Sequence, residues 1–221
     1  MKPLFSRSKN TPIKVLGHRG CRGRFAENTA TAITFALEQN AFAVEIDLRL
    51  DGTNRIVLAH DANDLHSREL TQLHHVIDTL NAFPGVHQLE VKALAPSQYQ
   101  CMINELQAIL PRLNSVCITS FDVGFLRALR RSNSNVAIGL IVSGLACTPW
   151  ALARGLGASE LVVDKKSISL KLIKEAKRRG LKVSVWTVNS LNVAKRLGKK
   201  KVDQIITDRP HMLTSRLLNK R

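Results

Sequence analysis

The stretch VEIDLRLDGTNRIVLAHD, residues 44–61, holds two acids, a turn and a histidine in one short segment. Its first half alternates apolar and polar residues as a β-strand does, so Glu45 and Asp47 leave the same face of that strand. The sequence DGTN at 51–54 is turn chemistry, and the apolar IVLAH after it predicts a returning strand. This hairpin places His60 across from Glu45, or from the neighbour of Glu45 in the other register.

The paired acids need an explanation beyond packing. Two like charges about 5 Å apart repel by roughly 3 kcal/mol at an effective dielectric of about 20, so they require a shared proton or a bound cation. A hard metal ion is the simpler remedy. The alternative is an exposed strand face with solvated acids, and residues elsewhere in the chain decide between the two.

The composition predicts one domain. A chain of 221 residues with 44% hydrophobic content is long enough for a large core, and no Gly/Ser-rich or Pro-rich linker divides it. We therefore expect a polar N-terminal extension at 1–12 and a single domain at 13–221. The opening lacks the apolar stretch of a secretory signal, and the longest apolar run, 136–147, is too short to cross a bilayer. The sequence predicts a soluble cytoplasmic protein.

The cysteines and the net charge limit which cofactors and partners the protein can have. The four cysteines lack CxxC spacing, which predicts free thiols and no structural zinc; they are Cys21, Cys101, Cys117 and Cys147. The net charge of +16 is concentrated at 170–182, 195–201 and the C-terminus. Such a surface attracts phosphorylated small molecules or an anionic membrane surface. Few aromatics lie between the basic residues, so nucleic acid is not expected, and solvated helix faces are the alternative.

Strand and helix patterns alternate along the chain. The hairpin return is set aside because a parallel crossover needs a dozen or more residues. Eight strands remain, each followed by a helical segment: 13–17, 41–48, 86–94, 115–121, 135–142, 160–165, 182–188 and 203–208. This order predicts an α/β fold, a single-domain (β/α)8 TIM barrel.

In such a barrel the chemistry lies at the carboxyl ends of the strands. Polar residues gather at or near these predicted ends: His18, Glu45, Asp47, Glu90, Lys92, Ser120, Asn189 and Asp208. Packing alone does not account for this distribution.

An ordered set of short motifs covers residues 15–210. It comprises GHRG (17–20), ENT (27–29), EID (45–47), HD (60–61), LEVK (89–92), SF (120–121), VWTVN (185–189) and ITDRP (206–210). The set resembles the glycerophosphodiester phosphodiesterase family. The resemblance implies a barrel that hydrolyses glycerophosphodiesters to glycerol 3-phosphate and an alcohol with a divalent cation. It further implies that the glycerol 2-hydroxyl attacks first and that water opens the cyclic phosphate.

The resemblance also implies the roles of particular residues. Glu45, Asp47 and Glu90 match the metal ligands, and all-oxygen ligands favour Mg²⁺ or Ca²⁺. His18 and His60 match the acid/base pair, with the order of their roles left open.

Other residues are assigned from the chemistry or carry two interpretations. Arg19 and Lys92 supply positive charge for the phosphodiester. Trp186 lines the pocket or fills the barrel, and Glu27 orients site groups or interacts with a helix dipole. Asp61 and Asp208 are assigned to loops or helix starts rather than to the ligands. The remaining histidines are assigned to surface or core: His66, His74, His75, His87 and His211.

One departure from the family pattern bears on the substrate. Family members carry an insertion between the HD histidine and the ExK glutamate, and here only residues 66–85 are available, so we expect a reduced insertion and an open mouth. An open mouth favours an alternative, a lysophospholipase D or sphingomyelinase D-like enzyme acting on lipid substrates. An alternative of another class is a non-catalytic basic binding protein on a barrel scaffold.

Overall fold

The computed structural model describes residues 13–66, 70–132, 135–144 and 148–218. The predicted extension at 1–12, Cys147 and the side chain of His66 lie outside this description. The boundary proposed for the extension therefore stays a prediction.

The described residues form nine strands: β1 (Lys14–His18), β2 (Ala43–Leu50), β3 (Ile56–Leu58), β4 (His87–Val91), β5 (Val116–Ser120), β6 (Ala137–Val142), β7 (Glu160–Asp164), β8 (Lys182–Trp186) and β9 (Gln204–Thr207). Eight of them are parallel neighbours in the order β1, β2, β4, β5, β6, β7, β8, β9. β9 pairs with β1 and closes the ring. The predicted single-domain (β/α)8 barrel is confirmed, and β3 is the hairpin arm outside it.

Helices follow the barrel strands: α1 (Ala30–Glu38), α2 (Ile77–Asn81), α3 (Tyr99–Ile109), α4 (Val123–Arg131), α5 (Pro149–Gly155), α6 (Leu170–Arg178), α7 (Leu191–Lys199) and α8 (Pro210–Leu218). Side-chain oxygens of Thr29, Asp122 and Ser169 cap α1, α4 and α6 by accepting from free backbone N–H groups. Among the described helices, none has the length and apolar composition that a bilayer crossing requires.

The hairpin turn is held by one carboxylate. Asp51 Oδ1 accepts hydrogen bonds from Thr53 N at 2.8 Å and Arg55 N at 3.0 Å. Leu48 consequently pairs with Leu58, and continuing this register places His60 opposite Ile46. The second of the two predicted registers, opposite the neighbour of Glu45, is the one observed.

The stretch between the hairpin and β4 is short. It contains 3₁₀ turns at Ala62–His66 and Leu73–Val76 followed by α2, so the helix predicted over 70–80 is a 3₁₀ turn joined to a five-residue helix. His87 ties this segment to the barrel. Its Nδ1 accepts from Val44 N at 3.2 Å, and its Nε2 donates to Leu80 O at 3.0 Å.

A buried polar layer fills the barrel beneath its carboxyl end. Glu160 Oε1 accepts from Gln88 Nε2 at 2.6 Å, from Gln204 Nε2 at 2.8 Å and from the Ser184 hydroxyl. Burial raises the pKa of Glu160, although the hydrogen bonds from Ser184 and Gln204 oppose that shift. Gln88 precedes Glu90 by two residues on β4, so both side chains point into the barrel and this layer lies directly beneath the acids.

Candidate active site

An open cavity lies at the carboxyl ends of the barrel strands. One wall is polar and is formed by His18, Arg19, Glu45, His60, Glu90 and Lys92. The other wall is apolar and is formed by Phe121, Ile141, Val162, Trp186 and Ile206. The polar wall comes from β1, β2, β4 and the hairpin, and the apolar wall comes from the strands that complete the ring. The cavity can therefore hold an amphipathic molecule with its charged group on one side.

Three carboxylates converge at the polar wall. Glu45, Asp47 and Glu90 each offer an oxygen, and these oxygens lie within 4.8 Å of one another. Burial, and then the charge of Asp47, raises the pKa of both Glu45 and Glu90. Glu45 Oε1 is buried without a hydrogen-bond partner. Clustered buried carboxylates with an unpaired oxygen are typical of a cation-binding site.

Asn28 holds the central carboxylate in place. Its Nδ2 donates to Asp47 Oδ2 at 2.9 Å, and its Oδ1 accepts from Asp47 N at 3.1 Å. Asn28 has a φ of 59° and is 1% exposed. Asparagine tolerates this left-handed backbone better than most residues. The cap of α1 is the next residue, Thr29, so Asn28 is free to serve the site.

Two cations face the acids, Arg19 buried and Lys92 partly buried. Lys92 Nζ lies 2.6 Å from Glu90 Oε1 and 3.4 Å from Asp47 Oδ1. Arg19 Nε lies 3.1 Å from Asp47 Oδ2, and Arg19 Nη1 donates to Glu27 Oε1 at 2.7 Å. Burial acts to lower the pKa of Arg19, but the charge of Asp47 and the bond to Glu27 raise it above its ordinary value. Of the two interpretations of Glu27, the structure favours orientation of a site group, because α1 begins only at Ala30.

Two residues that follow β8 and β9 orient His18. Its Nδ1 lies 2.6 Å from Asp208 Oδ1, and Asn189 Nδ2 donates to Asp208 Oδ2 at 2.6 Å. Burial acts to raise the pKa of Asp208, but the hydrogen bonds from His18 and Asn189 lower it to about 2. The other ring nitrogen, Nε2, lies 4.0 Å from Glu45 Oε2. Asp208 is a loop residue, as expected, but its contact with His18 was missed.

His60 has a similar arrangement at the hairpin end. Its Nδ1 lies 2.9 Å from Asp61 Oδ1, and Arg49 Nε donates to the His60 carbonyl at 2.9 Å. Burial lowers the pKa of His60. Because both histidines engage an aspartate through Nδ1, each has its Nε2 available for a proton transfer in the cavity.

The structure brings the predicted site residues together. Seven line the cavity, namely His18, Arg19, Glu45, His60, Glu90, Lys92 and Trp186, and Asp47 lies beside them, 1% exposed. Trp186 lines the pocket, where its ring meets that of Phe121 edge to face at 5.9 Å. Phe121 belongs to the SF motif and Asn189 to the VWTVN motif. Their contacts were not predicted from the sequence, because these contacts form only when the strands close into a barrel.

The remaining predicted assignments fall away from the site. His74 and His75 are exposed and their rings meet edge to face, and His87 is buried in the fold. His211 lies beside the free thiol of Cys21, with 3.5 Å between Nδ1 and Sγ. Cys101 and Cys117 are also free, as expected.

Comparisons with known proteins identify the family of the chain. Residues 18–82 and 92–212 match the model of the Glycerophosphoryl diester phosphodiesterase family. A glycerophosphodiester phosphodiesterase of Caldanaerobacter subterraneus is 26% identical over 232 aligned positions, covering 90% of this chain and 95% of the relative.

Solved structures share the fold. An Oleispira antarctica phosphodiesterase in complex with the product sn-glycerol-3-phosphate has a TM-score of 0.83 at 18% identity, covering 95% of this chain and 98% of that one. A glycerophosphodiester phosphodiesterase from Parabacteroides distasonis has a TM-score of 0.81 at 19% identity, with coverages of 95% and 98%.

The barrel, its cavity and these relatives define the class: the protein is a phosphoric diester hydrolase. The non-catalytic binding protein considered from the sequence is not retained. The chain belongs to the glycerophosphoryl diester phosphodiesterase family.

Proposed function

We propose that this enzyme hydrolyses glycerophosphodiesters to glycerol 3-phosphate and an alcohol, using His18 and His60 for proton transfer beside a divalent cation. The observation that carries the proposal is the pair of aspartate-held imidazoles beside three buried carboxylates in one cavity. The Caldanaerobacter relative is a glycerophosphodiester phosphodiesterase and the Oleispira enzyme binds glycerol 3-phosphate as its product, and both support this substrate class.

The acid cluster fits a divalent cation. Glu45, Asp47 and Glu90 supply only oxygen donors, which suits Mg²⁺ or Ca²⁺, and Glu45 Oε1 is a buried acceptor that lacks a partner. When bound, the cation adds positive charge for the nonbridging phosphate oxygens. Its presence also relieves the repulsion that raises the pKa of Glu45 and Glu90.

Arg19 and Lys92 act on the phosphate from the same wall. Their side chains are only 10% and 13% exposed, so their charges are weakly screened by water. A diester that enters the cavity exchanges part of its hydration for these two cations. Glu27 keeps the Arg19 guanidinium oriented through its bond to Nη1.

The histidines move the protons. One imidazole accepts the proton of the attacking hydroxyl through Nε2, and the other donates a proton to the leaving alkoxide as its bond to phosphorus breaks. Asp208 and Asp61 hold the Nδ1 sides, which keeps both Nε2 atoms in the cavity. A water molecule then opens the resulting cyclic phosphate: its oxygen bonds to phosphorus and one of its protons recharges the acid histidine, while the base histidine returns its proton to the glycerol 2-oxygen as that P–O bond breaks.

Lysophospholipids are a second candidate substrate class, favoured by one observation. Five apolar side chains line the wall opposite the phosphate-binding groups, and Phe121 at its rim is 44% exposed. A leaving alcohol that carries a hydrocarbon chain has a surface to pack on there. The same chemistry applies to both classes, and only the alcohol differs.

A product analysis tests the proposal. The purified enzyme is incubated with glycerophosphocholine, glycerophosphoethanolamine, glycerophosphoglycerol and a lysophosphatidylcholine, with Mg²⁺ or Ca²⁺ present. We expect cleavage on the alcohol side, so that glycerol 3-phosphate appears from the water-soluble diesters. Release of phosphocholine or phosphoethanolamine with free glycerol would contradict the assignment, as would the absence of hydrolysis in all four.

A further inference from the structure

Apolar and basic side chains meet at one sector of the catalytic mouth. Two of the three large hydrophobic side chains that are exposed in the described part of the chain lie there: Phe121, 44% exposed, directly after β5, and Leu170, 53% exposed, at the start of α6. The third, Leu152, lies on α5 and is not part of this sector. We call Phe121, Lys165, Lys166, Leu170 and Lys171 the mouth patch.

Trp186 joins two members of the mouth patch, Lys165 and Phe121. Lys165 N donates to the Trp186 carbonyl at 2.7 Å, and the Trp186 ring meets the Phe121 ring at 5.9 Å. The loop after β7 is therefore anchored beside the apolar wall. Ser169 caps α6 by accepting from Leu172 N at 3.1 Å, which makes Leu170 the first helical residue and leaves its side chain in solvent.

The charge of this sector is positive. Lys165, Lys166 and Lys171 are exposed, and none of them has an ion-pair partner among the described side chains. Asp164, partly buried at the end of β7, is the acid nearest in sequence. The acid on α6, Glu175, is engaged by Arg178 and Arg179. Three lysines thus flank an exposed leucine without local neutralisation.

Lysines beside solvent-exposed apolar side chains are the composition of a surface that lies on an anionic bilayer. The apolar groups enter the boundary between headgroups and acyl chains, and the ammonium groups contact lipid phosphates. We propose that the mouth patch seats the catalytic end of the barrel on an anionic membrane surface. This inference goes beyond the proposed function, because binding to a bilayer requires no hydrolysis.

The orientation has a consequence for substrate access. The mouth patch is continuous with the apolar wall through Trp186 and Phe121, whereas the phosphate-binding groups lie across the cavity. An alkyl-bearing diester leaving the membrane passes over the patch with its chain on the apolar side. Its phosphate then faces Arg19 and Lys92.

Vesicle sedimentation tests the docking surface. The full chain is mixed with vesicles of phosphatidylcholine alone, or of equimolar phosphatidylcholine and phosphatidylglycerol, and the bound fraction is measured at rising salt. We expect binding to the anionic vesicles only. The double variant Lys165→Ala/Lys166→Ala lowers the partition coefficient roughly 25-fold, about fivefold for each lysine. Leu170→Ser lowers it about fivefold without changing the salt dependence.

A matched control separates the patch from overall charge. Lys199→Ala/Lys201→Ala removes the same charge from exposed positions at the opposite end of the barrel, where α7 leads into β9, and we expect less than a twofold change. Hydrolysis of glycerophosphocholine serves as a folding control, since none of the substituted residues is in the catalytic machinery. Equal losses in both double variants would overturn the proposal, as would equal binding to neutral vesicles or no binding by the unmodified chain. Failure here leaves the proposed hydrolysis intact, because the vesicle assay involves no turnover.

Discussion

At the scale of single residues, the site depends on carboxylates that hold imidazoles. Asp208 bonds His18 and is itself held by Asn189, whereas the equivalent partner of His60, Asp61, has a side chain that is 69% exposed. A carboxylate held on two sides fixes a ring more firmly than a carboxylate in solvent. The two histidines therefore differ in how strongly they depend on their aspartates.

Substituting these aspartates tests that difference. We expect Asp208→Asn to lower kcat roughly tenfold to hundredfold with little change in KM, because the orienting charge on His18 is lost while substrate contacts remain. Asp61→Asn is the matched control and should lower kcat less. Steady-state kinetics on glycerophosphocholine decide the point. A larger loss in Asp61→Asn, or unchanged kcat in Asp208→Asn, would show that Asp208 does not position His18.

The division of labour between the histidines is measurable. His18→Ala and His60→Ala should each lower kcat on the order of a hundredfold or more, because each removes a proton transfer. A glycerophosphodiester with a p-nitrophenol leaving group needs no general acid, since its oxyanion is stable without a proton. We expect this substrate to rescue one of the two variants, which identifies the acid. Rescue of both variants, or of neither, would contradict a one-acid, one-base pair.

The sequence predicted the charged residues of the site but not the residues that hold them in place. Glu45 and Asp47 share a strand face because side chains alternate, and that requires no knowledge of the rest of the fold. Asn28 and Asp208 acquire their roles only when distant segments meet in the closed ring, so local pattern carries no sign of these contacts. Motif resemblance had marked both positions without their function.

At the scale of elements, the alternation of strand and helix predicted the barrel, and tertiary contacts decided the details. The eight parallel strands follow from apolar runs separated by amphipathic helices. The register of the hairpin depends on the Asp51 turn, which the sequence left open between two possibilities. Residues 70–80 became a 3₁₀ turn and a short helix, and His87 connects that helix to β2.

The burial of His87, which connects α2 to β2, predicts that the free energy of unfolding falls at acidic pH. Burial lowers the folded-state pKa of His87, although its bonds to the Leu80 and Phe83 backbone oppose this. The unfolded chain therefore takes up the proton first, at a pKa of about 6.5, so this contribution to stability is full above that pH. It is lost as the pH falls from there towards the folded pKa.

Denaturant unfolding measures this contribution. In His87→Gln the amide can accept from Val44 N and donate to Leu80 O without titrating. We expect this variant to be less stable than the unmodified chain at neutral pH, and the difference to shrink between neutral pH and pH of about 5. Parallel stability curves over that range would show that His87 does not titrate on unfolding.

At the scale of the whole molecule, the barrel places groups from all eight barrel strands and from the hairpin in one cavity. Acids, cations and histidines occupy one side of the ring, and apolar side chains occupy the other. The net charge of +16 favours anionic partners over the whole surface. At physiological salt this attraction is screened beyond about 8 Å, so local groups control the binding of a small diester.

In the proposed mechanism, three buried carboxylates hold a cation that turnover needs. The most direct measurement is release of glycerol 3-phosphate from glycerophosphocholine by enzyme treated with excess chelator and then given back Mg²⁺ or Ca²⁺. We predict that chelation abolishes release and that one of these ions restores it, because Glu45, Asp47 and Glu90 form a repelling cluster without a cation. Full release of glycerol 3-phosphate in excess chelator would show that turnover needs no cation.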